Sequence, residues 1–403
     1  MRIPGILYLL KLLLLYFQLL ACLGEDSFDA SWRTEYGPTT NDLYSVHGYD
    51  SAVVAVGDYF SLYVSPDLGT SWTSTRPIKQ FFFKGVSMVD SSYGVACGDA
   101  GAVAKTLNGG NFWSRYVLES GVPDYTSVTA WSTDFYIVVS TSGVVVRIAN
   151  SFGSVATLSD SSLNSVCHSG VTAYVVGDHG GVWISTDAVN GWEWSKLAPP
   201  VNISLHSAVS MRNGTSLIAV GNAGTVVVTH DQGANWVNHS LGLEHTLVSV
   251  TEYAEGLVLI ISSAGDGFLS TDEGISWFHT TSAAPRLLGG NVRSAFLLNE
   301  SYAILVGDIG QVWIMTFILP TRSPTGQPSS QPTSSPTHSH APTSHPTGSP
   351  SSTPTVAPSG EPSGAPSSSP TASPSGEPSG APSSSPTVAP SGEPSGAPSS
   401  SPT

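Results

Sequence analysis

A turn-forming octet that returns about every 40 residues restricts the fold of this chain more than any other feature. Its clearest copy is STDEGISW, 270–277. SPDLGTSW ends at Trp72 and THDQGANW at Trp236, and looser copies, TLNGGNFW and STDAVNGWEW, end at Trp113 and Trp194. Each needs an Asp or Asn side chain to accept backbone N–H groups inside the turn. Each also needs a Gly where φ is positive and a Trp that covers the turn as the next segment begins. Seven residues before each Asp-like position lies a second marker, usually Gly: Phe60, Gly101, Gly143, Gly180, Gly224, Gly265 and Gly310, spaced by 41, 42, 37, 44, 41 and 45 residues. The matching Asp positions read Asp67, Asn108, Asn150, Asp187, Asp231, Asp272 and Phe317, so there are seven copies and the last lacks the Asp-turn.

Each copy holds about four short runs rich in Val, Ile, Ser and Thr, punctuated by Gly and Asp, with no helical periodicity. One such unit cannot bury both of its faces alone, so the period predicts an all-β, seven-bladed β-propeller. The seventh copy stops after its third strand, Gln311–Thr316. The missing strand is predicted at the other end of the globular region: SWRTEY, 31–36, places Trp32 as the turn Trp is placed elsewhere, with no blade before it. Pairing it as the outer strand of blade seven closes the ring and leaves no open sheet edge at the seam.

The ends of the chain are of a different composition. Residues 1–24 carry Arg2 and Lys11 before the leucine-rich run Leu12–Leu23, with small residues near Gly24 and then Glu25 and Asp26, which is signal-peptide anatomy. From Pro320 to Thr403, Pro recurs at almost every fourth position. A 16-residue Pro/Ser/Thr-rich repeat begins at Pro358, Pro374 and Pro390, a composition expected to be disordered. No apolar stretch follows, so no transmembrane anchor is expected there. The propeller is therefore assigned to 25–319. That region holds 26 acidic and 11 basic residues, which argues against nucleic acid as a partner and leaves basic proteins and neutral glycans open. Beyond Cys22 it has two cysteines, Cys97 and Cys167, two blades apart and expected as thiols rather than a disulfide, so the domain relies on its core.

Units such as VVGDHGGVWISTDAVNGWEW (175–194) and AVGNAGTVVVTHDQGANW (219–236) resemble the Asp-box, or BNR, repeats of sialidase-like propellers. More closely, the frame over 31–317 is similar to the seven-bladed propeller of the photosystem II stability/assembly factor family. That resemblance implies a non-enzymatic chaperone of the thylakoid lumen that docks photosystem II polypeptides. Two features depart from it. The arginines of the domain (33, 76, 115, 147, 212, 286, 293) are scattered over different blades, and the leader lacks the Ser/Arg-rich segment of a plastid passenger. The expected location is therefore secreted, or at the cell surface or wall, with the thylakoid lumen as the alternative. Four N-x-S/T sequons, Asn202, Asn213, Asn238 and Asn299, suit a secreted glycoprotein.

Two sets of acids are candidates for function. The turn set, with Asp67 and Trp72, Asp187, Asp231 and Trp236, and Asp272 and Trp277, joins strands three and four, opposite the face propellers use for ligands, and reads as structural. The hairpin between strands two and three carries Asp58, Asp99, Asp178, Asn222 and Asp308, one after each Gly57, Gly98, Gly177, Gly221 and Gly307. These are either turn formers or an acidic ring around the channel that attracts a cation such as calcium or a basic peptide. A sialidase would need three converging arginines, a Tyr–Glu pair and an Asp acid. The only Arg-Ile-Pro triplet is Arg2-Ile3-Pro4, in the leader. No catalytic residue and no resident metal or cofactor is expected. The reading is a binding or scaffold module for a protein or glycan ligand. Trp131, Trp183 and Trp313 are expected as core.

Overall fold

The second strand of every repeat is apolar at nearly every position (AVVAVG, FYIVVS, TAYVVG, LVLIIS, YAILVG), the signature of a strand covered on both faces. In a computed structural model these strands are buried between seven radially arranged antiparallel sheets. The structure describes residues 27–75, 82–117, 123–150, 152–280, 282–284 and 290–319; the expected leader (1–24) and tail (320–403) lie outside the described residues. The seven innermost strands are Leu43–Tyr49, Phe83–Met88, Tyr125–Ser132, Leu163–Ser169, Leu205–Ser210, Leu247–Tyr253 and Val292–Asn299. Each packs on the next and the last packs on the first, so the ring closes around a central channel.

Seven apolar clusters lie one at each blade interface. Alternation along the second strand of blade one shows how: Val53 and Ala55 face blade seven with Ile304 and Val306, while Val54 and Val56 face blade two with Phe83 and Trp113. Trp183 and Trp313 sit in such clusters, 4% and 0% exposed. Cys97 is buried, Cys167 is half-buried, and both are free thiols.

The expected closure is present and one residue longer. Ala30–Tyr36 pairs antiparallel with Gln311–Phe317 as the outer strand of blade seven, with Trp32 opposite Met315. A second element was not legible in the sequence. Ser27–Phe28 adds a parallel fifth strand to blade six, beside His279 and Thr280. Phe28 is 3% exposed and meets Phe317 edge-to-face at 5.7 Å, and the Trp32 indole N–H donates to Ser282 O at 3.1 Å. The N-terminal segment thus staples blade six to blade seven before closing the ring.

Candidate functional site

Blade hairpins divide between the two ends of the disc. At one end lies the turn between strands three and four. In blades one, two, five and six a buried hydroxyl (Ser65, Thr106, Thr229, Ser270) donates to the side-chain oxygen of Asp67, Asn108, Asp231 or Asp272, at 2.8–3.2 Å. The same hydroxyl accepts the N–H of Gly69, Gly110, Gly233 or Gly274 at 2.8–2.9 Å. The Asp or Asn oxygen accepts a second N–H four residues on, from Ser71, Phe112, Asn235 or Ser276. The indole N–H groups of Trp72, Trp113 and Trp236 donate to the turn Gly carbonyl, while Trp277 Nε1 meets no acceptor among the described residues. Hydrogen bonds from Ser71 hold the Asp67 carboxyl below its usual range, and bonds from Asn235 do the same for Asp231. In every blade an N–H of this turn also reaches a carbonyl of the neighbouring strand-one-to-two turn, from Leu68 to Ser51 through to Phe317 to Ser301. The Asp residues of this end are spent on their own backbone.

Two copies depart from that pattern. Asn150 lies in a tight hairpin between Val144–Ala149 and Phe152–Thr157, without the hydroxyl-and-Gly frame. In blade four the carboxylate of Asp187 caps Asn190 instead, and Arg147 of blade three donates to Gly191 O at 2.7 Å. An arginine from the neighbouring blade there holds the turn carbonyls.

The hairpins between strands two and three occupy the other end. Asp58, Asp99, Asn222, Asp178 and Asp308 each offer a carbonyl that accepts the N–H three residues on, across two residues at positive φ, a type I′ geometry that matches the strand twist. Gly suits the second of these, because a Cβ at Gly310 would lie 1.9 Å from Thr39 O. Phe60 occupies that place in blade one at φ 66°, and Ile309 and Tyr59 hold the preceding one at 58° and 49°. Tyr59 is 64% exposed and stacks edge-on against Phe82, 5.3 Å between centroids.

All seven innermost strands carry a register shift just after their first residue. A bulge leaves one residue unpaired and re-aims its side chain. Here the seven bulged residues are Tyr44, Lys84, Thr126, Asn164, His206, Val248 and Arg293, and they line one cavity of about 160 Å³, the mouth of the channel. The predicted acids surround this ring and mostly bond to it. Tyr44 donates to Asp58 at 2.8 Å, Asn164 to Asp178 at 3.1 Å, and His206 bonds Asn222 at 2.8 Å. Arg293 donates to Asp308 at 2.5 Å and lies 3.6 Å from Asp42. Lys84 leans over the Tyr44 ring, 3.7 Å from its centroid, towards Asp58 at 3.8 Å. Burial pushes the Asp99 carboxyl up, with Lys84 opposing. The mouth therefore sets two cations, Lys84 and Arg293, among its acids rather than presenting carboxylates alone. Among the described residues no three of His, Cys, Asp and Glu come together as a metal-holding group.

Below the mouth a belt of serines laces blade to blade: Ser45, Ser127, Ser207, Ser249 and Ser294 accept the N–H of Val86, Val166, Val250, Ala295 and Val46. The channel then opens into a chamber of about 530 Å³. Its wall includes His47, Trp131, Cys167, His168, Glu252 and Phe296. Trp131, expected in the core, is half-buried: it packs against the cluster between blades three and four and also lines this chamber. Sequence reading missed the bulged ring and the chamber histidines. The repeat register aligns Lys84 with Arg293 but sets Tyr44 one residue out of step, and no local motif marks a bulge.

Asn202, Asn213 and Asn238 are exposed and Asn299 is half-buried. The Asn213 amide nitrogen already donates to Ser216 Oγ at 2.8 Å. The described arginines stand apart: Arg33 on the closing strand, Arg115 on an outer strand, Arg147 and Arg212 on blades three and five, and Arg293 at the mouth. Among the described residues no helix is long and apolar enough to cross a membrane.

No family model and no curated protein matches the chain. Solved structures do. A structure described as YCF48 bound to D1 peptide is 17% identical with a TM-score of 0.60, covering 74% of this chain and 100% of that one. YCF48 from Cyanidioschyzon merolae is 15% identical, TM-score 0.58, covering 71% and 98%. Virginiamycin B lyase from Staphylococcus aureus is 8% identical, TM-score 0.62, covering 72% and 100%. At these identities what the chain shares with a peptide-bound protein and a lyase alike is the seven-bladed β-propeller fold.

Proposed function

We propose that this chain is a non-enzymatic binding or scaffold propeller whose mouth docks a polypeptide. The observation that carries the reading is the ring of seven bulged residues. One backbone device, repeated in every blade, presents seven different side chains to a single opening. A catalytic site would instead concentrate a nucleophile or an acid–base pair at one point. The exposed Tyr59 and Phe82 beside Lys84 add an apolar and a charged contact at the rim, the mixture that interfaces favour. The peptide-bound YCF48 structure supports polypeptide as the ligand class, and photosystem II polypeptides in a thylakoid lumen are the specific alternative it suggests. The leader, the sequons and the Pro/Ser/Thr tail favour a secreted or surface protein. The Asp-turns belong, in this proposal, to Asp-box repeats retained for the fold.

Photo-crosslinkers placed at Thr126 and, as a control on the opposite end, at Ile275 test the reading in the native cell. A polypeptide captured from Thr126 and not from Ile275 supports it; equal capture, or hydrolysis of chromogenic glycosides by the purified chain, overturns it. Imaging a tagged copy decides between the cell exterior and the plastid.

A further inference from the structure

We infer that the chamber below the mouth is a binding site for an uncharged, polyhydroxylated small molecule of hexose size. The inference stands apart from the docking surface, since none of its wall groups belongs to the bulged ring. The chamber volume of about 530 Å³ falls within the roughly 300–1,000 Å³ of small-molecule sites.

Its polar groups are fixed before any ligand arrives. His47 Nδ1 accepts the Met88 N–H at 3.2 Å, so the neutral ring carries its proton on Nε2. His168 Nδ1 is tied to Thr129 Oγ1 at 2.6 Å. Both imidazoles are also held by aromatic neighbours, His47 on Phe296 with centroids 4.4 Å apart and His168 on Trp131 at 3.9 Å. In each ring the Nε2 atom is left to meet a guest. Glu252 lies on the same wall, and Ser210, 5% exposed, has a hydroxyl with no partner among the described residues. An apolar guest would expel water from these groups and replace none of their hydrogen bonds.

Charge on the guest is disfavoured by the same wall. Burial pushes both imidazoles down to about 4, with His168 adding to the effect on His47, and pushes the Cys167 thiol up to about 12. Among the described residues no fixed cation lines the chamber to receive an anion. For a cation the one acid among the described lining residues is Glu252, which burial pushes up to about 7 while the Arg212 charge and backbone N–H oppose. Neutral hydroxyls can donate to Glu252, accept from the His47 Nε2–H, and either donate to or accept from His168 Nε2.

Saturation-transfer NMR on the full chain at pH 7 tests this with D-glucose, D-galactose, D-mannose and myo-inositol, against glucuronate and glucosamine as charged comparators. Expected is transfer to at least one neutral compound, at least tenfold weaker binding of the charged ones, and at least tenfold weakening in His47→Phe and His168→Phe, which keep the ring contacts and lose Nε2 together with the Nδ1 bonds to Met88 and Thr129. Should either Phe variant not fold, Ser210→Ala and Glu252→Gln serve, with at least threefold weakening expected. No transfer to any neutral compound, which would mean a water-filled channel only, overturns the inference. Equal binding of the charged comparators does so too, as does binding unchanged in the variants. Loss of polypeptide docking would leave these results untouched, so the two readings fail separately.

Discussion

The two ends of the disc use the same residue type for opposite purposes. At the strand-three-to-four end, Asp67, Asp231 and Asp272 accept N–H groups and hydroxyls from within their own turns. At the mouth, Asp58, Asp178 and Asp308 make their backbone turns through their carbonyls and leave their carboxylates to Tyr44, Asn164 and Arg293 of the innermost strands. An Asp in a repeated turn thus does not declare its role by its turn. The role follows from whether the carboxylate faces its own backbone or another element's side chain. The end whose carboxylates are consumed locally holds the fold; the end whose carboxylates meet other side chains can vary them blade by blade.

The comparison breaks most visibly at the glycines of the mouth. Gly310→Ala puts a Cβ into Thr39 O at a φ of 64°, so the loop that follows the closing strand must move. A loss of about 3 kcal/mol or more is expected in urea unfolding. A loss under about 0.5 kcal/mol would show that the mouth hairpins do not fix the loop packed over them. Next is Ser270→Ala, at the other end. Ser270 is fully buried and its hydroxyl serves Gly274 and Asp272 together. Its loss strands a buried N–H and is expected to cost about 2 kcal/mol. Thermal and urea unfolding of Ser270→Ala beside Ser270→Thr checks this, because Thr keeps the hydroxyl.

Acid separates the two ends by pH window. His47 and His168 have folded values near 4 against an ordinary 6.5, so between those values the unfolded chain binds protons that the folded chain does not. Stability is therefore lost as pH falls from about 6.5 to 4. Glu252, pushed up to about 7 from 4.5, has the opposite sign and offsets about one of the two rings. The net loss expected is on the order of 1–2 kcal/mol, reduced because the rings meet channel solvent. The turn carboxylates Asp67 and Asp231 are depressed, so their contribution disappears only below the ordinary value of 3.8. Urea unfolding at stepped pH should show two descents. His168→Phe should flatten the upper one and leave the lower, and an unchanged upper descent in the Phe variants of both histidines would refute the assignment.

How much of this was legible follows from the range of the interactions. The repeat register gave seven blades and the closing strand because Gly, Asp and Trp act within a few residues of one another. It was silent on Ser27–Phe28, whose two residues carry no pattern and gain their place only from blade six and Phe317. It was equally silent on the mouth. Lys84 and Arg293 share a repeat position and Tyr44 is one residue out of step with them, because a bulge is set by how a strand pairs, and the Lys84–Asp58 approach crosses from one blade to the next. Trp131, expected as core because it lies outside the turn position, does pack against the blade three–four cluster; its second contact, an indole N–H donated to Gly170 O with the ring against His168 in the chamber wall, depends on the next blade and leaves no local signal.

Phe60 offers a smaller effect of opposite sign. It stands where most other blades have Gly and holds φ at 66°, so Phe60→Gly should relieve strain and raise stability by up to about 1 kcal/mol, less the greater freedom Gly gives the unfolded chain. A loss of stability in thermal unfolding would mean that the half-buried ring contributes more than its backbone costs.

The smallest change is expected where the sequence drew most attention, at the acids of the mouth. In Asp58→Asn, Asp99→Asn and Asp178→Asn combined, each Asn keeps the backbone turn, and those at 58 and 178 keep an oxygen for Tyr44 and Asn164. Asp58 loses its approach to Lys84, a partly exposed pair contributing under about 1 kcal/mol. Asp99 is pushed up by burial, so removing its charge relieves desolvation and offsets that loss. The triple variant should therefore unfold within about 0.5 kcal/mol of the native chain, with the same response to millimolar calcium. If calcium instead raised the native melting temperature and the triple variant lost that rise, the acids would be a cation site. The distinction between the two ends would then lie in bound metal rather than in side-chain partners.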